Sequence, residues 1–212
     1  MTKIFTMLLV LTTVTMAQNQ PLLIKDSRSP DGKLELWIKP PMEDEGEASG
    51  TVQIRQVQTQ KLTGTFEWSG FGVHADSTAF IVLWRSDSKY FAIKYEETRG
   101  WMTGNVYGVH KDGRWTEVKL PIEEYDKAIK KLAGVADFYG KGCDSPVQWL
   151  LNGDLTLEFV DRNLIYDHDD VEKEFVINLR VADQKKEPLP TAKLVSIKQK
   201  SYEETVRGYQ SR

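Results

Sequence analysis

The chain has 212 residues, 28 Lys+Arg against 31 Asp+Glu, a formal net charge of -3 and one Cys. With a pI near 5.7 it lacks the basic balance of a nucleic-acid binder, and one Cys excludes an intrachain disulfide or a cysteine-rich zinc site. Its Trp, Tyr and Phe content, 6, 8 and 8 residues, is enough to bury a real core, which separates the chain from disordered sequences.

Residues 1–17 read as a signal peptide. Lys3 supplies a positive start, Ile4 through Val14 is mostly apolar without an acid, and Thr15-Met16-Ala17 offers the small residues that a signal peptidase reads. The run is too short for a bilayer, which takes about 20 apolar residues, and no later segment approaches that length, so no membrane span is expected. The mature chain is expected to start near Gln18 and to be exported, either periplasmic or extracellular. No Cys follows the apolar run to carry a lipid.

Residues 18–200 read as one all-β domain. Turn signals recur at Ser29-Pro30-Asp31-Gly32-Lys33, Ser86-Asp87-Ser88-Lys89 and Asn152-Gly153-Asp154. Asp-Gly and Asn-Gly tolerate the positive φ of tight hairpins, and a two-residue loop is expected at each. A strand-like run follows each turn: Leu34 to Ile38, Tyr90 to Tyr95 and Leu155 to Val160. The first and third alternate apolar with polar residues, the mark of a half-buried strand; the second does not. Apolar runs precede the turns at Leu22 to Ile24, Ile81 to Arg85 and Val147 to Leu151, with a Trp at the same offset in the last two. Two further strands follow in each unit: Thr51 to Arg55 with Gly64 to Trp68, Asn105 to Val109 with Arg114 to Val118, and Phe175 to Leu179 with Ala192 to Ser196. The expectation is about three antiparallel units of four strands each.

Ser29-Pro30-Asp31-Gly32-Lys33 and Trp84-Arg85-Ser86-Asp87-Ser88-Lys89 resemble the Trp-Ser-Pro-Asp-Gly-Lys signature of WD40-like propeller repeats of the TolB type. The resemblance implies blade-like units, with the motif as the hairpin between the first two strands of a blade. Closed propellers have about four blades or more. Three units therefore leave an open stack, an incomplete propeller closed by a partner, or another all-β arrangement.

One helix is expected near 122–133. Pro121 opens it, Glu123 and Glu124 fill its first turn, Lys130 and Lys131 its last, and Gly134 closes it. Its apolar stripe of Ile122, Tyr125, Ile129 and Leu132 reads as core packing. Residues 201–212 read as a polar tail that frays.

Connections between the second and third strands of each unit are expected to be the longest, at Pro40 to Gly50, Glu97 to Gly104 and Asp161 to Glu174, and to share one face. Arg99 and Trp101, with Tyr107, form a candidate aromatic and cationic recognition patch. Asp167, His168, Asp169 and Asp170 suit a divalent cation by residue type, yet lack the alternation and glycine of a calcium loop, so they read first as a solvated acidic loop. Asp167, His168 and Asp170 remain candidates for ligand contact. Cys143, between Gly142 and Asp144, is the one candidate thiol nucleophile. No catalytic signature surrounds His74, His110 or His168, and no phosphate loop or dinucleotide fingerprint implies a cofactor. The leading expectation is an exported, non-catalytic β-repeat module that binds a protein or small ligand or associates with itself. The alternative is a small exported hydrolase, metal-assisted through Asp167, His168 and Asp170 or thiol-based through Cys143.

Overall fold

Strand-forming runs separated by turn residues pair with their nearest neighbours along the chain, and here they do so throughout. A computed structural model of the chain describes residues 20–39, 48–70, 80–98, 101–136, 143–166, 171–182 and 190–210. Three antiparallel sheets of four consecutive strands result. The first holds β1 (Leu22–Leu23), β2 (Leu34–Lys39), β3 (Ala48–Gln56) and β4 (Leu62–Gly70). The second holds β5 (Phe80–Trp84), β6 (Tyr90–Thr98), β7 (Trp101–Val109) and β8 (Trp115–Glu117). The third holds β9 (Cys143–Trp149), β10 (Asp154–Ile165), β11 (Glu172–Ala182) and β12 (Thr191–Gln199). Helix α1 (Ile122–Ala133) links the second sheet to the third, and α2 (Tyr202–Gln210) follows β12. The protein is thus all-β with short helices, and the strand pairing follows the expected units.

The second sheet lies between the other two, and its side chains divide by parity. Phe91, Ile93, Tyr95 and Tyr107 pack with Leu36, Ile38, Val52 and Ile54 of the first sheet. Tyr90, Ala92 and Val106 pack with Leu155, Leu157, Ile177 and Leu179 of the third, and with Tyr125 and Ile129 of α1. Strand β6 is therefore buried on both faces, which removes the apolar–polar alternation that β2 and β10 show. Each fully buried large side chain contributes about 1.5–3 kcal/mol, and Phe91, Leu36, Leu155 and Ile177 are all fully enclosed. Gly104 on β7 allows the closest approach: a Cβ there would lie 2.4 Å from the Ile93 carbonyl oxygen and 2.7 Å from the Pro146 ring of β9.

One turn chemistry recurs at four hairpins. Gly32, Ser88, Gly113 and Gly153 each donate their N–H to the carbonyl three residues back, at 2.8 to 2.9 Å, and all have positive φ, from 58° to 82°. Asp31, Asp87, Asp112 and Asn152 precede them, and each side chain accepts the N–H two residues on. These loops are longer than the two-residue hairpins expected. A four-residue turn ending in a left-handed residue carries the strand twist instead, and Asx side chains support it locally.

The sheets are tied through the Trp that precedes the turn. The Trp84 indole donates to the Ser27 carbonyl of the first sheet at 2.8 Å. Trp149 donates to the Leu83 carbonyl of the second, also at 2.8 Å. In the first sheet that position is Arg28.

The outer faces of the stack carry polar networks, beside the exposed Leu23 and Leu62 on the first sheet. On the first sheet Glu35 is 5% exposed and accepts from Trp37 Nε1 and Gln60 Nε2 at 3.0 Å, while the Arg55 guanidinium lies over the Trp37 ring. On the third sheet Thr156, Asn178 and Ser196 form a hydrogen-bonded row across the strands. Arg180 there grips the Asp154 carboxylate with two nitrogens, and Lys200 bonds both Glu158 and Glu174.

Two expectations need correction. Residues 202–210 are helical rather than a fraying tail, because Ser201-Tyr202-Glu203-Glu204 is a capping box. Ser201 Oγ accepts the Glu204 N–H at 3.2 Å, and the Glu204 carboxylate accepts the Ser201 N–H at 2.8 Å. The second-to-third-strand connections are also unequal. Strands β6 and β7 extend through Thr98 and from Trp101, which leaves only residues 99–100 between them.

Candidate functional site

Helix α1 runs over the range that its sequence signals mark, and Gly134 ends it in the left-handed conformation. The buried stripe is narrower than expected: Tyr125 and Ile129 are fully enclosed, whereas Ile122 and Leu132 are about half exposed. Pro121 provides no side-chain cap, and the first turn of α1 lies beside the β7–β8 edge of the second sheet. Between that turn and the strand edge lies a groove of about 970 Å³, walled by Thr103, Asn105, Glu117, Lys119, Ile122 and Glu123 and reaching Tyr95 and Asp144.

A row of polar groups crosses this groove from strand to strand. Tyr95 on β6 donates its hydroxyl to Asn105 Oδ1 on β7 at 3.4 Å, and Asn105 Nδ2 donates to Glu117 on β8 at 2.8 Å. The Asn105 amide is thereby held in one orientation, with its acceptor side toward Tyr95. The neighbouring Tyr107 phenol is pushed well above its ordinary value, by burial first and then by the charges of Glu117 and Tyr95.

Asp144 on β9 ends the groove beneath α1. Tyr125 Oη donates to Asp144 Oδ2, and Asp144 Oδ1 is enclosed with no hydrogen-bond partner. Burial lifts the Asp144 carboxyl to about 6, with the Asp126 carboxylate adding to the rise and the Tyr125 hydrogen bond working against it. Burial also raises the Tyr125 phenol, reinforced by the Asp144 charge. A carboxylic acid lifted in this way, in a cleft beside fixed amide and hydroxyl groups, is the type of group that binds or protonates a ligand.

Of the residues that the sequence offers as candidates for a ligand patch, the structure describes the side chain of Tyr107 alone. Tyr107 is 6% exposed and stacks on Phe91 at 5.2 Å and against Phe66 at 3.9 Å, so it belongs to the core between the first two sheets and not to an exposed patch. Trp101 begins the strand on which Tyr107 lies, and the six-residue step between them spans about 20 Å. Arg99, Asp167, His168 and Asp170 lie outside the described residues, as do the side chains of Trp101 and Cys143. Among the described residues no three His, Cys, Asp or Glu side chains gather as a metal site, and no helix is long and apolar enough to cross a membrane.

Asn105, Glu117 and Asp144 were not apparent from sequence. Their alternate positions mark a strand face but not which neighbours share it. Asp144 stands out only beside Cys143, and its partner Tyr125 is 19 residues away, a separation that no local pattern resolves. No family model, curated protein or solved structure matches the chain.

Proposed function

We propose that the chain is an exported, non-catalytic β-repeat protein of WD40-like type, built as an open three-unit stack, whose groove between the β7–β8 edge and α1 receives a ligand. The repeat reading is supported by the hairpins that join the first two strands of each sheet. These share one turn chemistry, and the residue before the turn is Arg28, Trp84 and Trp149 in successive sheets. Each Trp docks on the preceding sheet, and the first of the described sheets carries Arg28 at that position. Support for an open stack comes from the polar networks on the outer faces, where the described exposed apolar side chains, such as Leu23 and Leu62, stand among polar ones. Export rests on the pattern of residues 1–17.

The observation that carries the binding reading is the groove itself, with Asn105 fixed between Tyr95 and Glu117. Ligand sites combine such a cleft with a few placed polar groups. The test is an NMR titration of the chain from Gln18 against short peptides and oligosaccharides. Shifts centred on Asn105, Glu117 and Ile122, lost in Asn105→Ala, are expected. Shifts centred on Trp37 and Arg55 instead would overturn the assignment.

Asp144 favours a second reading as a hydrolase, in which its carboxyl serves as a general acid near pH 6. Turnover of ester or glycoside substrates that vanishes in Asp144→Asn would establish that reading and defeat the non-catalytic one.

A further inference from the structure

A buried carboxylate is tolerated when both oxygens are satisfied, and Asp144 has only one that is. Its hydrogen-bonded oxygen faces a hydroxyl on α1, so the contact joins the helix to β9 at the groove. We propose that the buried Asp144 carboxyl is a proton-operated latch beneath α1: as the neutral acid it leaves the first turn of α1 docked on β9, and as an anion with one unsatisfied oxygen it loosens that turn and moves one wall of the groove. The latch rests on the binding reading only for its consequence, and it can be tested without a ligand.

The surroundings favour the protonated state. From α1, Tyr125 donates its hydroxyl and Asp126 contributes a carboxylate that raises Asp144 further. Asp126 is itself raised by burial, with Lys130 acting against that rise. Around the groove stand Glu123 and Glu124 of α1, Glu117 of β8 and, after it, Lys119. Lys119 is the one basic group in this lining, against the acids Glu117, Glu123, Glu124 and Asp144. From β10 the residue in register with Asp144 is Phe159, an apolar core side chain. Ionised Asp144 therefore has one hydrogen bond and an acidic, apolar setting, the arrangement in which a charge is most penalised.

The sign follows from linkage. The carboxyl titrates at about 6 in the folded chain and near the ordinary Asp value of 3.8 in the unfolded one. Its stabilising contribution is complete below that lower value and is lost as pH rises through 6. Asp31, Asp87, Asp154 and Glu204 shift the opposite way, downward. Their contributions are lost only in strong acid, which leaves about pH 4 to 6 as the window for Asp144.

The experiment combines a carboxyl-carbon NMR titration with amide hydrogen exchange at residues 122–126, corrected for intrinsic exchange. The latch predicts an Asp144 midpoint near 6. It also predicts that protection of the first turn of α1 falls between about pH 4 and 6, by up to about tenfold per pH unit below the midpoint, and levels off above it. In Asp144→Asn the protection should lose this pH dependence. Tyr125→Phe, which removes the hydroxyl but keeps the ring, should move the Asp144 midpoint upward, because a hydrogen bond favouring the ionised form is gone. An Asp144 midpoint near 4, or a pH dependence that survives in Asp144→Asn, overturns the proposal. Either result leaves the groove reading standing, since no ligand is present.

Discussion

Replacing Trp149 with Phe tests how the sheets are held together. The ring remains to pack near Tyr90, 6.3 Å away between centroids, but the indole N–H to the Leu83 carbonyl at 2.8 Å is lost. Leaving a partly buried carbonyl without its donor costs about 1–3 kcal/mol, and the smaller ring surrenders about 1 kcal/mol of burial. Trp149→Phe should therefore destabilise the chain by about 2–4 kcal/mol, a large share of the ~5–15 kcal/mol of a typical domain. Trp84→Phe should lose a similar amount, because its N–H to Ser27 has the same length and its ring lies 5.0 Å from Phe91. The two lesions fall at different sheet interfaces, so the double variant should be additive within about 0.5 kcal/mol. Arg28→Ala should cost less than about 0.5 kcal/mol, since its pairing with Glu35 is 3.8 Å long and the Arg side chain is 63% exposed. Guanidinium unfolding followed by far-UV circular dichroism reads all four variants. Phe variants within 0.5 kcal/mol of the parent, or an Arg28→Ala loss equal to theirs, would refute the role given to the Trp locks.

Three other substitutions probe individual steps of the fold. Gly104→Ala should lower stability by about 2–3 kcal/mol, because the new methyl meets the Ile93 carbonyl and the Pro146 ring, neither of which can swing aside; a thermal melt measures it. Gly134→Ala forces a β-carbon into φ 73° at the end of α1 and should cost about 1 kcal/mol in denaturant unfolding. Ser201→Ala removes the cap of α2 and should weaken that helix by about 1 kcal/mol. Hydrogen exchange should locate the change in residues 202–210, with the β6 core unchanged.

Much of the fold is legible because it is local. Asp-Gly and Asn-Gly turns, period-2 runs and the Pro-to-Gly span of α1 concern residues that meet along the chain, and the strand pairing follows them. The turns came out longer than expected because Asp31, Asp87 and Asn152 build an Asx-supported turn around a left-handed residue, and a dipeptide alone does not set loop length. The capping box at Ser201 is a local signal as well, set in a stretch whose polar composition by itself reads as a fraying tail. Burial on two faces is a property of the stack, which is why Tyr107 resembles a surface aromatic in sequence and is core in space. The groove was the least legible part. Asn105, Glu117 and Asp144 belong to three strands, and their meeting depends on sheet stacking and on where α1 lands.

The proposed open stack makes its most direct commitment about association. The outer faces carry Glu35, Arg55, Asp154 and Arg180 in polar networks, with exposed apolar side chains such as Leu23 and Leu62 scattered among them, so a second copy finds little apolar surface to bury there. Size-exclusion chromatography with light scattering on the chain from Gln18, over a hundredfold range of concentration, should return the mass of a single chain throughout. A dimer or larger ring that persists on dilution would contradict the account and show that another copy completes the stack.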